Sequence, residues 1–278
     1  MTDEDAIART DLPRTRESIA ADLVDLGVRS GSVVIVHSSV SSLGWVVGGP
    51  VAVAHALLDA VGPDGTVVVP THTPDNSEPS GWRNPPVPES WWPVIRGHMP
   101  GFDPLVTPSR WMGRLPEIVR SLPGARRSDH PHVSFAAVGP RAEQIVADHA
   151  LDEMLGERSP LGRIYALDGD ILLLGAGHDS NTSLHLAEYR VPAPPRVWHG
   201  AAVRTAHGSE WVQWEDVDVD EGDFPRLGAD LDEEVEVSFG LVGSAESRIM
   251  RQRAAVDFAV EWMTAHRPTS GSPMATPG

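Results

Sequence analysis

The chain has 278 residues, of which 41% are hydrophobic and 22% charged, as is usual for a soluble globular protein. The formal net charge is −17, from 39 acidic against 22 basic residues, and such acidity disfavours nucleic acid as a partner. The sequence contains no cysteine and no lysine, which excludes disulfides, zinc-thiolate sites, thiolate nucleophiles and lysine Schiff bases.

The two ends of the chain differ from the rest in composition. Residues 1–14 are acidic and lack the apolar stretch of a secretory signal, so they are predicted to be a flexible N-terminus. No apolar run approaches the ~20 residues of a membrane span, and we expect a cytoplasmic protein without membrane contact. Residues 266–278 have the composition of a disordered tail. No linker divides the region between, so residues 15–265 are predicted to form a single domain.

The first part of this domain alternates between helix and strand patterns. Helical spacing that ends at a glycine predicts a helix over 15–28. Short β-branched runs predict buried strands over 32–39 and 65–73, with a helix over 51–62 between them. This order favours an α/β layered fold. Further helices are predicted over 113–122, 140–150 and 244–266, and further strands over 134–139, 170–176, 201–207, 211–219 and 235–242.

Residues 74–110 form a long segment without periodicity that is rich in proline and tryptophan. A loop of this length inside a compact domain is usually functional or disordered. The tryptophans Trp82, Trp91 and Trp92 favour a packed, functional loop.

Three predicted strands end in polar clusters that each contain a histidine: HSS at 37–39, THT at 71–73 and GHDSN at 177–181. Ligands of open α/β sheets bind beyond the carboxyl ends of the strands, so the three clusters are expected to meet at one site. Ser, Thr and Asn also form ordinary turns after strands. That alternative explains each cluster separately but explains less well a histidine in all three.

A phosphate site is predicted only weakly. Gly48 and Gly49 precede Pro50 at a predicted helix start, where free N–H groups and the helix dipole suit an anion, but a simple turn explains them equally well. The P-loop motif is absent, and GAGHDS lacks the third glycine of a dinucleotide fingerprint.

The segment GHDSNTSLHLAEYR (177–190) admits a metal site, an acid/base site or a capped helix. His178 and His185 are seven residues apart, without the HEXXH spacing of a metalloprotease helix, which makes a metal site with Asp179 the less favoured reading. If a helix begins near Asn181, His185 and Glu188 lie three residues apart on one face. A carboxylate that fixes the tautomer of an imidazole is what a general base requires, so acid/base chemistry is favoured.

Several long blocks occur in a characteristic order: HSSVSSLGWVVGGPVAVAHALLDAVGPDGTVVVPTHT, ARRSDHPHVSFAAVGPRAE, ERSPLGRIYALDGDILLLGAGHDSNTSLHLAEYR and LVGSAESRIMRQRAAVDFAVEWM. Together they resemble the aminoglycoside 3-N-acetyltransferase family over roughly residues 15–265. The resemblance implies a three-layer α/β/α sandwich around a mixed β-sheet. It also implies acetyl-CoA as the co-substrate, no metal, and an amino group of an aminoglycoside as the acceptor.

The resemblance assigns roles to particular residues. It places His185 and Glu188 at the catalytic position, with His178 and Asp179 beside them. It also assigns a set of residues to the CoA cleft: His37, Ser38, Ser39, Thr71, Ser128, His130, Ser134 and Phe135. Arginines such as Arg110 and Arg127 are candidates to bind the CoA phosphates. A polycationic acceptor needs carboxylates, for which Asp75, Asp152 and Glu157 are the candidates, and Trp45 and His72 are assigned to the same substrate site.

The expected reaction is direct transfer within a ternary complex with a histidine general base, acting on the 3-amino group and conferring antibiotic resistance. Two other enzymatic hypotheses stay open at this point: acetylation of another small amine in biosynthesis, and a metal-dependent hydrolase using His178, Asp179 and His72. A third hypothesis is a protein that sequesters a cationic ligand in an acidic cleft. The small-molecule acceptor is the expected partner, with a homodimer possible.

Overall fold

A seven-stranded mixed sheet forms the centre of the computed structural model, which describes residues 3–8 and 10–267. The strands are β1 (Val33–Ser38), β2 (Thr66–Pro70), β3 (Arg126–Arg127), β4 (Phe135–Val138), β5 (Asp170–Leu174), β6 (Arg196–Thr205), β7 (Gly208–Val217), β8 (Val237–Val242) and β9 (Ala245–Arg251). The sheet order is β3-β4-β2-β1-β5-β9-β8, and β6 and β7 form a separate hairpin. In this sheet β1 pairs in parallel with β2 on one side and with β5 on the other, so these three strands point their carboxyl ends to the same edge.

Helices cover both faces of this sheet. They are α1 (Asp3–Ala8), α2 (Arg16–Leu26), α3 (Gly49–Val61), α4 (Trp92–His98), α5 (Arg114–Ser121), α6 (Ala142–Val146), α7 (Pro160–Ala166), α8 (His185–Glu188), α9 (Phe224–Glu234) and α10 (Gln252–His266). Successive side chains of β1 face opposite ways: Ile35 packs with α6, α7, α9 and α10, whereas Val34 and Val36 pack with α2, α3 and α5. This arrangement confirms the predicted α/β/α sandwich around a mixed sheet.

The prediction of one continuous helix over 244–266 is wrong in its first third. Residues Ala245–Arg251 form β9, which pairs antiparallel with both β5 and β8, and α10 begins only at Gln252. Ala245, Ser247 and Ile249 are buried, whereas Glu246 is exposed and Arg248 partly exposed, which is the alternation of a strand. The helix predicted over 140–150 is likewise shorter, because α6 ends at Val146.

The segment 74–110 is anchored to the rest of the protein near its start, and it contains the helix α4, but most of residues 81–100 are exposed. Asn76 exchanges two hydrogen bonds with the backbone of Ala202 in β6, at 2.9 and 2.8 Å, which ties the loop to the hairpin. The indole N–H of Trp82 donates to Ser77 Oγ over 2.9 Å. Trp82 and Trp92 are partly buried, whereas Trp91 is exposed.

Both ends of the chain are described only in part. Within residues 1–14, α1 is followed by Thr10, whose Oγ1 accepts a hydrogen bond from the amide of Trp45 over 2.9 Å. At the other end His266 and Arg267 are described, and the rest of the predicted tail, residues 268–278, lies outside the described residues. No helix in the described part is both long enough and apolar enough to cross a membrane.

Candidate active site

A cavity of about 1210 Å³ opens where the parallel strands end. His37, Ser38 and Ser39 line it from the end of β1, His72 lines it beyond β2, and residues 179–182 line it beyond β5. The three polar strand ends singled out in the sequence therefore contribute to one cavity, as expected for the carboxyl edge of parallel strands.

His185 lies on the wall of this cavity and Glu188 lies behind it. Two 3₁₀ turns follow β5, and the chain then forms the single helical turn α8, which puts the two residues on one side. Nδ1 of His185 is 2.6 Å from Oε2 of Glu188, and the imidazole packs on the ring of Phe224 at a centroid distance of 4.8 Å. The pair has the geometry of a base oriented by a carboxylate.

Glu188 is a buried carboxylate with polar partners on both oxygens. Its side chain is 3% exposed, so its charge must be compensated from within the protein. Oε1 accepts hydrogen bonds from the backbone N–H of Asp220 over 2.9 Å and from Arg267 over 2.5 Å.

His178, the other histidine of the same segment, is directed away from the cavity. Its Nε2 is 3.1 Å from Asp232, which also forms an ion pair with Arg248. Gly228 packs so closely on the imidazole that a Cβ there would overlap the ring. Burial lowers the pKa of His178 despite the hydrogen bond to Asp232. Asp179 does line the cavity, so the structure separates these two sequence neighbours.

Four further histidines line the cavity, and burial lowers the pKa of each: His37, His72, His132 and His199. Burial, with a smaller contribution from the nearby His185, lowers the pKa of His37 to about 3, and burial lowers the pKa of His132 to about 4. Their imidazoles are therefore neutral at pH 7, and they do not repel a cationic ligand.

The two helical layers give the cavity walls opposite charge. From the α3/α5 side come the N-termini of both helices together with Arg114. Gly48, Gly49 and Gly113 have positive φ values of 81, 57 and 80° at these helix starts, a conformation that favours glycine. From the side of α8 and α9 come the carboxylates of Asp179 and Glu221.

A second group of predicted site residues lies behind the cavity wall and does not line it: Thr71, Ser128, His130, Ser134 and Phe135. Arg127 donates to the hydroxyls of Thr71 and Ser134, each over 3.0 Å, and burial lowers its pKa to about 10. Nδ1 of His130 accepts from the amides of His132 and Val133 over 3.1 and 3.0 Å, which shapes the turn that carries these two residues into the wall. These residues support the cavity, and Arg127 is fully engaged there.

The predicted acceptor carboxylates are on the surface. Asp75 pairs with Arg110 at 2.7 Å, Asp152 with Arg158 at 2.7 Å and Glu157 with Arg190 at 2.6 Å, and none of the six lines the cavity. Trp45 and His72 do line it. The lining residues that were not predicted from the sequence include Trp111, Arg114 and Glu221 as well as His132 and His199. Gly113 precedes a predicted helix just as Gly48 and Gly49 do, so the sequence could have indicated a second helix N-terminus at the site, with Arg114 beside it. Nothing in the local sequence distinguishes Glu221 from other surface acids.

Within residues 3–8 and 10–267, no group of three or more His, Asp or Glu side chains has an arrangement that could hold a metal ion. The ligands of the hypothetical hydrolase site do not meet, because His178 binds Asp232 while Asp179 and His72 face the cavity.

Comparison with known proteins identifies the relatives of this chain. The family model described as aminoglycoside 3-N-acetyltransferase matches residues 35–264. The SPbeta prophage-derived aminoglycoside N(3')-acetyltransferase-like protein YokD of Bacillus subtilis (strain 168) is 43% identical over 257 residues, which cover 92% of this chain and 94% of YokD. Aminoglycoside N(3)-acetyltransferase VII of Streptomyces paromomycinus is 36% identical over 279 residues, with coverage of 92% and 94%.

Solved structures show the same fold with ligands bound. The AAC-IIIb binary complex with CoASH superposes with a TM-score of 0.83 at 34% identity and covers 94% of this chain and 100% of that chain. AAC-VIa bound to sisomicin superposes with a TM-score of 0.81 at 34% identity, with coverage of 91% and 98%.

Proposed function

This chain belongs to the aminoglycoside 3-N-acetyltransferase family, and we propose that it transfers the acetyl group of acetyl-CoA to the 3-amino group of an aminoglycoside, conferring resistance to the antibiotic. The observation that carries the proposal is the His185–Glu188 pair on the wall of a cavity whose two sides differ in charge.

The α3/α5 side of the cavity is the donor side. Two helix N-termini present positive dipole ends, and Arg114 adds a full positive charge, a combination that suits the phosphates of CoA. At the start of α3 the amide of Gly49 already donates to Val46 O and Pro50 has no N–H, so the dipole acts there without these two amides. From there the pantetheine arm leads past Ser38 and Ser39 toward His185. The CoASH complex of AAC-IIIb supports CoA as the ligand of this fold.

The side formed by Asp179 and Glu221 is the acceptor side. An aminoglycoside carries several ammonium groups, each of which gains from a nearby carboxylate. Trp45 offers an apolar surface for a sugar ring, and the net charge of −17 favours the approach of a polycation. The sisomicin complex of AAC-VIa supports this class of acceptor.

His185 is the general base. Its Nδ1–H donates to Glu188, which leaves the lone pair of Nε2 to take a proton from the attacking ammonium group. The amine nitrogen then forms a C–N bond with the thioester carbon, and the C–S bond breaks. The nitrogen loses its second proton as the amide forms, and a proton converts the leaving CoA thiolate to the thiol. One of the two protons lost by the ammonium group thus ends on the thiol, and the other is released from His185. Glu188 stabilises the imidazolium formed on the way.

Direct transfer fits the residues available. Since the sequence has neither cysteine nor lysine, no cysteine thiolate or lysine amine can carry the acetyl group. The amide of Ser39 already donates to Leu174 O over 3.0 Å. The amides that begin the following 3₁₀ turn, Val40–Leu43, are therefore the candidates to stabilise the developing oxyanion.

A thiol-release assay tests the proposal. Purified protein is incubated with acetyl-CoA and each member of an aminoglycoside panel, the free thiol is titrated, and mass spectrometry locates the acetyl group. Thiol release that depends on an aminoglycoside with a 3-amino group is the expected result. Acceptor binding without thiol release would support sequestration, and release only with unrelated amines would support a biosynthetic role; either result would overturn the proposal.

A further inference from the structure

A guanidinium group at the end of the last described helix reaches the catalytic carboxylate. Arg267 follows α10 and is 79 residues from Glu188 in the sequence, yet its Nη1 donates to Oε1 of Glu188 over 2.5 Å. We propose that Arg267 is a positioning residue for the His185–Glu188 pair, and that it selects the imidazole tautomer in which Nε2 is free to accept a proton. This inference rests on the proposed role of His185 as the base.

The hydrogen-bond donors around Glu188 carry the tautomer argument. Arg267 and the amide of Asp220 both donate to Oε1 and cannot accept, so this oxygen must be an acceptor. With Oε1 held in this way, Oε2 accepts from Nδ1–H of His185 over 2.6 Å. If the carboxyl were released, it could rotate, or it could take up a proton and donate to Nδ1. The imidazole would then carry its proton on Nε2, where it cannot act as a base.

Arg267 is itself held rigidly. Nε and Nη2 donate to the two carboxylate oxygens of Asp223 over 2.8 and 2.5 Å, and Nη2 also donates to the carbonyl of Asp220 over 2.7 Å. Burial acts to lower the pKa of this guanidinium, but the hydrogen bonds to Asp223 and Glu188 outweigh burial and raise it above its ordinary value. Arg267 thus joins three segments of the chain: the end of α10, the helix α8 and the residues preceding α9.

The positive charge of Arg267 beside Glu188 and Asp223 should be detectable in the pH–rate profile of the enzyme. Arg267 offsets one of the two negative charges of Glu188 and Asp223, so its loss strengthens the field that holds a proton on the imidazole. The other titratable groups near the pair are Asp179 and Glu221 on the cavity wall, His37 and His72 across it, Tyr189 on the chain after α8, Asp218 and Asp220 before α9, and His266 beside Arg267. None of them is changed in the variants below, so a shift of the pH profile reports the loss of the guanidinium.

The test compares Arg267→Gln with Arg253→Gln in the full chain. Arg253 is a matched control, because it lies on α10 and its partners are remote from Glu188: it donates to the carbonyls of Tyr165 and Ala166, over 2.7 and 2.8 Å, and lies 3.7 Å from Asp168. We expect Arg267→Gln to lower kcat about tenfold or more and to move the acid limb of the pH–rate profile upward by about one pH unit. The KM for acetyl-CoA should stay unchanged. Arg253→Gln should change none of these quantities.

Two further measurements separate positioning from a structural role. Arg267 lines a second cavity of about 480 Å³, so added guanidinium ion should reach the space left in Arg267→Ala and restore part of kcat. Histidine ¹⁵N spectra should show Nδ1 of His185 protonated in the native protein and a changed tautomer in Arg267→Gln. An unshifted pH profile together with an unchanged tautomer would overturn the inference, even if the melting temperature fell.

Two controls keep the outcome unambiguous. If Arg267→Gln does not fold, Asp223→Asn decides, because it removes the other anchor of the guanidinium and leaves Glu188 intact. Since this variant also removes a charge, the His185 tautomer is the readout: a changed tautomer supports positioning, and an unchanged one refutes it. His185→Ala separates the two proposals. If His185→Ala is inactive while Arg267→Gln behaves as native, only this inference fails, whereas full activity of His185→Ala would refute the base assignment itself.

Discussion

Nδ1 of His185 lies 2.6 Å from Oε2 of Glu188, and the other carboxylate oxygen is occupied by Arg267 and the amide of Asp220. One nitrogen of the imidazole is therefore committed to an internal partner, and only Nε2 remains for the acceptor. His178 differs in this respect, since its Nε2 already contacts Asp232 and its Nδ1 lies 3.3 Å from the side-chain Nδ2 of Asn181.

The first prediction concerns these two histidines. His185→Ala should lower kcat by about 10²–10⁴-fold, because the proton of the attacking amine loses its acceptor, while the KM for acetyl-CoA stays within about twofold. His178→Asn is the matched variant: it should lower the melting temperature, because it disturbs a buried contact with Asp232, and keep most of kcat. Steady-state kinetics and thermal unfolding of both variants check this. The opposite pattern would make His178 the base.

The second prediction concerns the donor side. Arg114→Gln should raise the KM for acetyl-CoA about tenfold with little change in kcat. The reason is that a contact with a CoA phosphate stabilises the bound substrate and the transition state to the same extent. Arg110→Gln is the control, since Arg110 pairs with Asp75 outside the cavity. Equal effects of the two substitutions on this KM would show that Arg114 does not contact CoA.

The third prediction concerns the acceptor side. Glu221→Gln and Asp179→Asn should each raise the KM for an aminoglycoside several-fold, and the KM of the native enzyme should rise with salt, because exposed charges are screened beyond ~8–10 Å. Asp152→Asn should leave this KM unchanged, as Asp152 pairs with Arg158 away from the cavity. A larger effect at Asp152 than at Glu221 would favour the surface carboxylates first considered from the sequence.

The fourth prediction is a loss of stability in acid. Burial lowers the pKa of His37 to about 3 and that of His132 and His149 to about 4. The unfolded chain, with an ordinary histidine pKa of ~6.5, therefore binds protons that the folded chain does not. The free energy of unfolding should fall as the pH drops below ~6.5, by about 2 kcal/mol for each of these residues between pH 7 and pH 5, and the loss should level off below the folded-state pKa values.

Urea unfolding at both pH values measures this loss. His149→Gln should remove one residue's share of the pH dependence. A pH dependence that is the same in His149→Gln as in the native protein would show that burial of this histidine is not its source.

Strands and contacts that depend on residues close together in the sequence could be predicted. Short β-branched runs predicted β1, β2 and β5, and polar clusters at their ends predicted where a site lies, since parallel strands end at one edge. The three-residue spacing of His185 and Glu188 predicted their contact, because both belong to one helical turn. β9 escaped prediction, because its alternation of buried and exposed residues runs without a turn signal into the helical pattern of α10.

The sequence by itself determined the α/β class, the strand ends that border the cavity and the contact of His185 with Glu188, because each follows from patterns among residues close together in the chain. The three layers around a mixed sheet were implied by the family resemblance over residues 15–265. Only the tertiary structure decided which of the acidic residues line the cavity, that His178 binds Asp232, and that Arg267 reaches Glu188 across 79 residues. These contacts join segments that meet only when α8, α9 and α10 pack on the same face of the sheet. Periodicity along the chain says which face of an element is buried, but not which charged residue of a distant element will lie against it.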